Sequence, residues 1–343
     1  IRGIVKQYSD FVAYPVRMEI ERTSQEEGEE EKIEKKLEQL NSMKAIWLRG
    51  KDEVSDEEFN EFYKHISHDW NDPLSRVQAK IEGTLEYRML LYIPSKAPFD
   101  LFNPRGTRTG VHLYIKRVFI MDDCTDLLPD YLRFVRGVVD SEDLSLNISR
   151  EMLQQDRQIQ RMSKGIVSKV LAHLKDLRDK DPEKYRQFWK EFGRVFKEGI
   201  FQDRENRDTI LELSLFDSTN DPAEQTSLQS YMDRMKPDQE AIYYLTGESR
   251  KIIENSPHLE AFREKGYEVI LLSEPVDDVW ATYVTEFKEK KFQSVGKGAV
   301  ELGSEEERKK AEESRKEKQE THASLLEFLK NTLNEHVKDV RLS

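Results

Sequence analysis

The stretch Thr84–Ile93, TLEYRMLLYI, decides how the first half of this chain folds. Leu85, Tyr87, Met89, Leu91 and Ile93 recur at every second position, the period of a β-strand. Toward its end Leu90 and Tyr92 make the other face apolar as well, so the strand is expected inside a sheet that is covered on both sides. Upstream, Ser55–Glu58 (SDEE) is a capping box that opens a helix with Phe59, Phe62, Tyr63 and Ile66 on one face. Downstream, Pro94–Gly110 reads as a loop and Val111–Ile120 as a second long strand, together implying an antiparallel sheet covered by helices. Pro129 is expected to start a short helix that Gly137 ends, with a loop over Val138–Ile148. At the front, residues 9–20 read as a strand that Pro15 places at an edge. Glu26–Glu38, with seven Glu and three Lys, reads as a solvated excursion between strands.

From about Gln158 to Glu198 strand patterns vanish. Ile166, Val167, Val170, Leu171, Leu174 and Leu177 mark one amphipathic helix, and Asp181–Pro182 opens another carrying Tyr185, Phe188, Trp189, Phe192 and Val195. A smaller unit follows. Ala241–Leu245 and Val269–Leu272 read as strands with helices between them, Gly266 as the glycine just past a helix end, and the pair as parallel with a crossover. Glu305–Glu320 is a charged helix that gains a stripe of Leu326, Leu329, Leu333 and Val337, the expected opening of a further domain.

The chain has 343 residues and a net charge of −12. Charged residues make up 36%, against about 25% in an average soluble protein. No apolar run approaches the roughly 18 residues of a membrane span, and no signal peptide opens the chain. The basic footprint of a nucleic-acid binder is missing. The single cysteine, Cys124, excludes an internal disulfide framework and a thiolate metal site, and fits a reducing, cytoplasmic compartment. Ile1 is not an initiator Met, so the chain is expected to be a piece of a longer protein.

Few motifs carry chemistry. His65 and His68 at i,i+3 form at most the seed of a metal site, and no metal is expected. Thr246–Ser249 (TGES) is an anion-binding turn or a plain turn between strand and helix. Ser149–Gln154 (SREMLQ) is more telling. Ser149 can cap a helix whose first turn holds Arg150, where the macrodipole disfavours a cation. Arg150 either pairs with Glu142 or Asp143, or projects with Gln154 toward a phosphate, as an arginine finger acting on a nucleotide held elsewhere. Four aromatics are expected at the surface: Trp47, Trp70, and Phe99 and Phe102 in PSKAPFDLFNPRG, a loop that is either locally packed or a sticky site for other chains.

With these residues in view, the chain resembles the middle segment of the 90-kDa heat-shock protein chaperone family, nearest its bacterial form. The resemblance rests on YSDF (Tyr8–Phe11), AIWLR (Ala45–Arg49), EEFNEFYKHISHDWNDPL (Glu57–Leu74), EGTLEYRMLLYIPSKAPFDLF (Glu82–Phe102) and VFIMDD (Val118–Asp123). It continues through LRFVRGVVDSEDLSLNISREMLQ (Leu132–Gln154), IYYLTGES (Ile242–Ser249) and SPHLEAFREKGYEVILL (Ser256–Leu272). The resemblance implies an α/β (α+β) fold of two α-β-α sandwich units, large then small, joined by a helical coil, with a trailing C-terminal helix. The expected boundaries are 1–155, 156–200, 201–298 and 299–343. It implies an ATP-driven homodimeric chaperone of three domains, with ATP and Mg held by an N-terminal domain absent here except for a trace at Ile1–Tyr8. The family's arginine at the ATP γ-phosphate corresponds to Arg150 and its supporting glutamine to Gln154. Client contact falls to Trp47, with Phe99 and Phe102 beside it. The implied partners are the N-terminal ATPase domain, client proteins and co-chaperones, with no nucleic acid and no membrane. Alone, the chain is expected to be a monomer without ATPase activity. The rival reading is a nucleotide-independent holding scaffold in which Arg150 is only structural.

Overall fold

In the computed structural model, which describes residues 1–24, 32–102, 110–146, 156–297 and Thr332, the chain divides into two compact units, Ile1–Ser214 and Leu215–Ser343. The first is built on a five-stranded sheet. Its strands are β3 (Ser75–Ile81), β4 (Tyr87–Ile93), β5 (Val111–Ile115), β6 (Val118–Met121) and β7 (Arg136–Ser141), in the order β3-β4-β7-β5-β6. Strand β4 sits inside the sheet as its pattern required, with Met89, Leu90, Leu91 and Tyr92 fully buried. Helix α2 (Asp56–Ser67) covers one face. The Ser55 hydroxyl accepts from the Glu58 N–H at 3.2 Å and the Glu58 carboxylate from the Ser55 N–H at 3.2 Å, the reciprocal capping box read from SDEE. Phe59, Phe62, Tyr63 and Ile66 pack with Leu90, Tyr92 and Val138.

The other face carries α3 (Arg157–Lys180), whose Asp156 side chain caps it by accepting from the Gln158 N–H at 2.6 Å. Tyr87 points to this side, and its hydroxyl lies where a Cβ on Gly165 would come within 2.4 Å. Helices α4 (Pro182–Phe196), α5 (Gly199–Gln202) and α6 (Arg207–Leu213) complete the unit. Phe134 stacks on Phe192 at 4.7 Å.

The heart of the sheet differs from the sequence reading in three respects. First, the stretch expected as a helix and loop contains β7, between β4 and β5. Only Val138 and Val139 are aliphatic in it, so polar Asp140 and Ser141 mask a strand buried along its whole length. Gly137 ends no helix. Its φ is +140°, and a Cβ there would meet the Leu90 carbonyl oxygen at 2.2 Å, so glycine lets two strands approach. Second, Val111–Ile120 is a tight hairpin. Lys116 and Arg117 turn it with φ of 49° and 66°, without the Asn-Gly signal such turns usually show. Third, the sheet is mixed, because β5 runs parallel to β7.

At the front, α1 (Arg2–Tyr8) precedes a two-stranded hairpin of β1 (Arg17–Ser24) and β2 (Lys32–Gln39). The second half of the acidic stretch is therefore strand, and the strand expected over 9–20 begins only at Arg17. Buried Asn41 holds the hairpin base, donating to the carbonyls of Val12 at 3.2 Å and Tyr14 at 2.9 Å and accepting from the Val16 N–H at 2.8 Å.

In the second unit the strands are β8 (Leu215–Ser218), β9 (Thr226–Ser227), β10 (Ala241–Thr246), β11 (Ile270–Leu272), β12 (Glu286–Phe287) and β13 (Lys290–Ser294), in the order β12-β13-β10-β11-β8-β9. Strand β10 pairs parallel with β11 and Gly266 ends a short helix at φ +66°, both as read; β10 also pairs parallel with β13. Tyr231 anchors this core, donating to the Glu268 carbonyl at 2.8 Å and accepting from the Tyr243 N–H at 2.9 Å. The trailing helix expected from Glu305 onward lies outside the described residues except for Thr332, which is helical. No described helix is long and apolar enough to cross a membrane.

Gly137→Ala is expected to destabilise the first unit by about 3 kcal/mol or more, through strain and the clash with Leu90. Gly83 also has positive φ (+150°) but open space around it. Gly83→Ala should therefore cost less, about 1–2 kcal/mol, from backbone strain without a clash. Urea unfolding of both variants checks the contrast, and equal losses would contradict it.

Candidate functional site

The loop after β4 is clamped to its surroundings. The Glu191 carboxylate of α4 accepts from the Ala97 N–H at 2.9 Å, Gln187 donates to the Ser95 carbonyl at 3.2 Å, and Arg133 donates to the Leu101 carbonyl at 3.0 Å. Leu101 is buried, so the loop is anchored from within as well. From this base Phe99 stands 106% exposed. Phe102 is half exposed, with the Arg194 guanidinium 4.8 Å above its ring. A second bare aromatic, Trp70, is 91% exposed in the turn between α2 and β3. Ser75 pairs with Ile93, so the Trp70 and Phe99 loops leave the same end of the β3–β4 pair. Phe99 and Trp70 thus leave two large apolar rings in water at this end of the sheet.

Trp47 corrects the sequence reading. Expected at the surface, it is 2% exposed. Its ring packs against Phe11 at 4.8 Å, Tyr114 at 5.0 Å and Phe62 at 5.8 Å. Its indole N–H donates to Asp140 Oδ2 at 2.8 Å, while the Arg117 N–H reaches Asp140 Oδ1 at 3.1 Å. Burial pushes the Asp140 carboxyl above the usual carboxylate range, and these two donors pull it back. A lone tryptophan in AIWLR carries no sign of which way it points. The paired buried acid is legible only once β7 is in place.

Arg150 and Gln154 lie outside the described residues, but both flanks of their segment are defined. After β7, Ser141 Oγ accepts from the N–H groups of Asp143 at 3.3 Å and Leu144 at 3.2 Å, and Leu144 is buried. The Asp143 carboxylate, one of the two partners considered for Arg150, accepts from the Glu86 N–H at 2.5 Å. On the far side stands the Asp156 cap of α3.

Beneath the C-terminal end of α2, His112 of β5 lies in register with Val138 and meets Phe119 edge-on at 6.0 Å. Burial drives the His112 imidazole down to about 4; Asp122 opposes the shift, and His68, His65 and Arg136 reinforce it. Arg136 is itself buried, donating to the carbonyls of Arg133 at 2.7 Å and Val135 at 3.3 Å. Among the described residues no group of three or more His, Cys, Asp or Glu side chains is arranged to hold a metal ion.

Comparison with known proteins draws these features together. The family model described as Hsp90 protein matches residues 25–343. The chain belongs to the Hsp90 family. Chaperone protein HtpG of Mycobacterium avium is 56% identical over 345 residues, covering 100% of this chain and 53% of the relative. HtpG of Rhodococcus jostii is 55% identical over 344 residues with the same coverage. The chain therefore spans about half the length of these relatives. The middle domain of a Plasmodium falciparum heat shock protein matches with a TM-score of 0.66 at 33% identity, over 74% of this chain and all of that one. The mixed α+β architecture is thus that of an Hsp90 middle domain.

In this Hsp90-family chain His112 ties stability to pH. Its folded value, about 4, lies below the ordinary 6.5. The unfolded chain therefore binds the proton more readily, and stability is lost as pH falls from 6.5 toward 4. Between pH 7.5 and 4.5 the wild type should lose about 2 kcal/mol more than His112→Gln. Urea midpoints at the two pH values test this, and parallel losses in both proteins would contradict it.

Proposed function

We propose that this chain is the middle segment of an ATP-dependent chaperone that assists protein folding. In this reading it lends an arginine to the γ-phosphate of ATP held by an N-terminal domain of the same protein, and offers clients an aromatic surface. The observation that carries it is the match along the whole chain to bacterial HtpG proteins. ATP is the substrate. Arg150 meets negative charge developing on the transferred phosphate, and Gln154 supports it with an amide. Such an arginine is worth about 10³–10⁵ in rate at its strongest. Where closure of the whole molecule limits turnover, less of that shows. By itself this segment holds no nucleotide site and does not turn ATP over. The reading includes a homodimeric full-length protein, a monomeric isolated segment, co-chaperones, and a cytoplasmic setting. No thiol chemistry enters it: Cys124 is buried, which pushes its thiol up to about 12 and keeps it protonated.

The client surface in this reading is Phe99, Phe102 and Trp70. Trp47 acts from inside, because a side chain this buried cannot touch a client without opening the core. A second reading, a nucleotide-independent holding scaffold with Arg150 as a structural pin, draws on the same clamped loop, since that surface needs no ATP to form.

Steady-state ATP turnover in the full-length protein, wild type against Arg150→Ala, separates the two. A fall of about tenfold or more with ATP affinity kept is expected; unchanged turnover would leave the scaffold reading. Phe99→Ser with Trp70→Ser should weaken binding of an unfolded client by about tenfold, with Tm unchanged because both rings are already in water. Undiminished binding would remove this surface from the proposal.

A further inference from the structure

Between α3 and the loop Asp203–Asn206, which joins α5 to α6, the first unit has a cleft of about 440 Å³. Small-molecule sites span about 300–1,000 Å³. The cleft has an apolar base in Tyr131 and Val167, both buried. Its loop wall is locked from inside. The Tyr131 hydroxyl donates to Asp203 Oδ2 at 2.8 Å, and Asp203 also accepts from the Asn206 N–H at 3.1 Å and from the Asn206 side-chain amide at 2.8 Å. A wall held this way needs little further ordering when a ligand enters.

The hydrogen bonds already made decide what the rim can offer. Three donors occupy the Asp203 carboxylate. Lys164 of α3 occupies both oxygens of Glu205, at 2.7 and 2.9 Å. Arg204 stands between these two acids in the sequence, lines the same cleft, is exposed, and has no ion-pair partner among the described residues. The carboxylates are thus engaged, and a guanidinium with its donors uncommitted is left at the rim of an apolar cleft. We propose that this cleft is a binding site for a small amphipathic anion, a carboxylate or sulfonate carried on an apolar body that fits the 440 Å³. The apolar body lies against Tyr131 and Val167, and Arg204 takes the anionic group through its forked N–H donors. Lys164 adds a second cation, because an exposed ion pair such as Lys164–Glu205 is weakly held and can open toward the ligand. Trp70, Phe99 and Phe102 do not line this cleft.

The probe is anilinonaphthalene sulfonate, an aromatic body with one sulfonate, titrated into the full-length protein and followed by its fluorescence. Ser163→Trp fills the cleft from the α3 wall, where Ser163 is half-buried, and so identifies the share of the signal that arises there. That share should disappear in Ser163→Trp, and in Arg204→Glu its affinity should fall about tenfold or more, both with Tm unchanged. Phenylnaphthylamine, which has the same rings without the sulfonate, should bind there about tenfold more weakly than the sulfonate. A signal that Ser163→Trp leaves intact would overturn the proposal, because the probe then sits elsewhere. Loss in Ser163→Trp with full affinity in Arg204→Glu, or equal binding of the uncharged probe, would overturn the assignment of the cleft to an anion.

Discussion

A carboxylate taken out of water must find donors, and in the first unit Asp140 finds them on two remote pieces of chain. The Trp47 indole supplies one and the Arg117 backbone the other. An unpaired charge at a site only 2% exposed would cost several kcal/mol. The turn at 46–48, the β5–β6 turn and the end of β7 are therefore obliged to meet. Around that point the aromatic rings of Phe11, Phe62 and Tyr114 close over the indole, and α2 is fixed against the sheet.

Gly137 enforces the same arrangement from the other side. Because β4 and β7 come closer there than any Cβ allows, strand β7 is locked in register three residues before Asp140. What leaves that strand is the chain toward Arg150; what leaves the far end of β4 is the Phe99 loop. The chain leading toward Arg150 and the Phe99 loop thus leave adjacent, tightly registered strands. In the proposed function this sheet links the two exits, since strain at one edge is not absorbed by loose packing between them.

The two kinds of proposed functional residue are built by opposite means. Phe99 and Trp70 do their work by not being buried, and the surrounding hydrogen bonds only hold their backbones still. Trp47, an aromatic of the same chemical type, is consumed by the core.

The helices with a strong 3.6-residue period, α2, α3 and α4, were legible from residue pattern alone, as were the capping box at Ser55, the αL glycine at Gly266 and the parallel pair in the second unit. Each is a local matter, settled by neighbours within a few positions of the chain. Family membership was legible too, because long stretches such as VVDSEDLSLNISREMLQ are specific in themselves. Strand β7 was not, because a strand buried on both faces that carries Asp140 and Ser141 shows neither alternation nor a plain apolar run. The hairpin at Lys116–Arg117 was hidden because its turn uses charged residues in place of glycine. The inward direction of Trp47 was hidden because its partner is 93 positions away. Periodicity, caps and motifs are short-range and can be read along the chain, whereas the pairing of a buried acid with an indole exists only once distant segments are brought together.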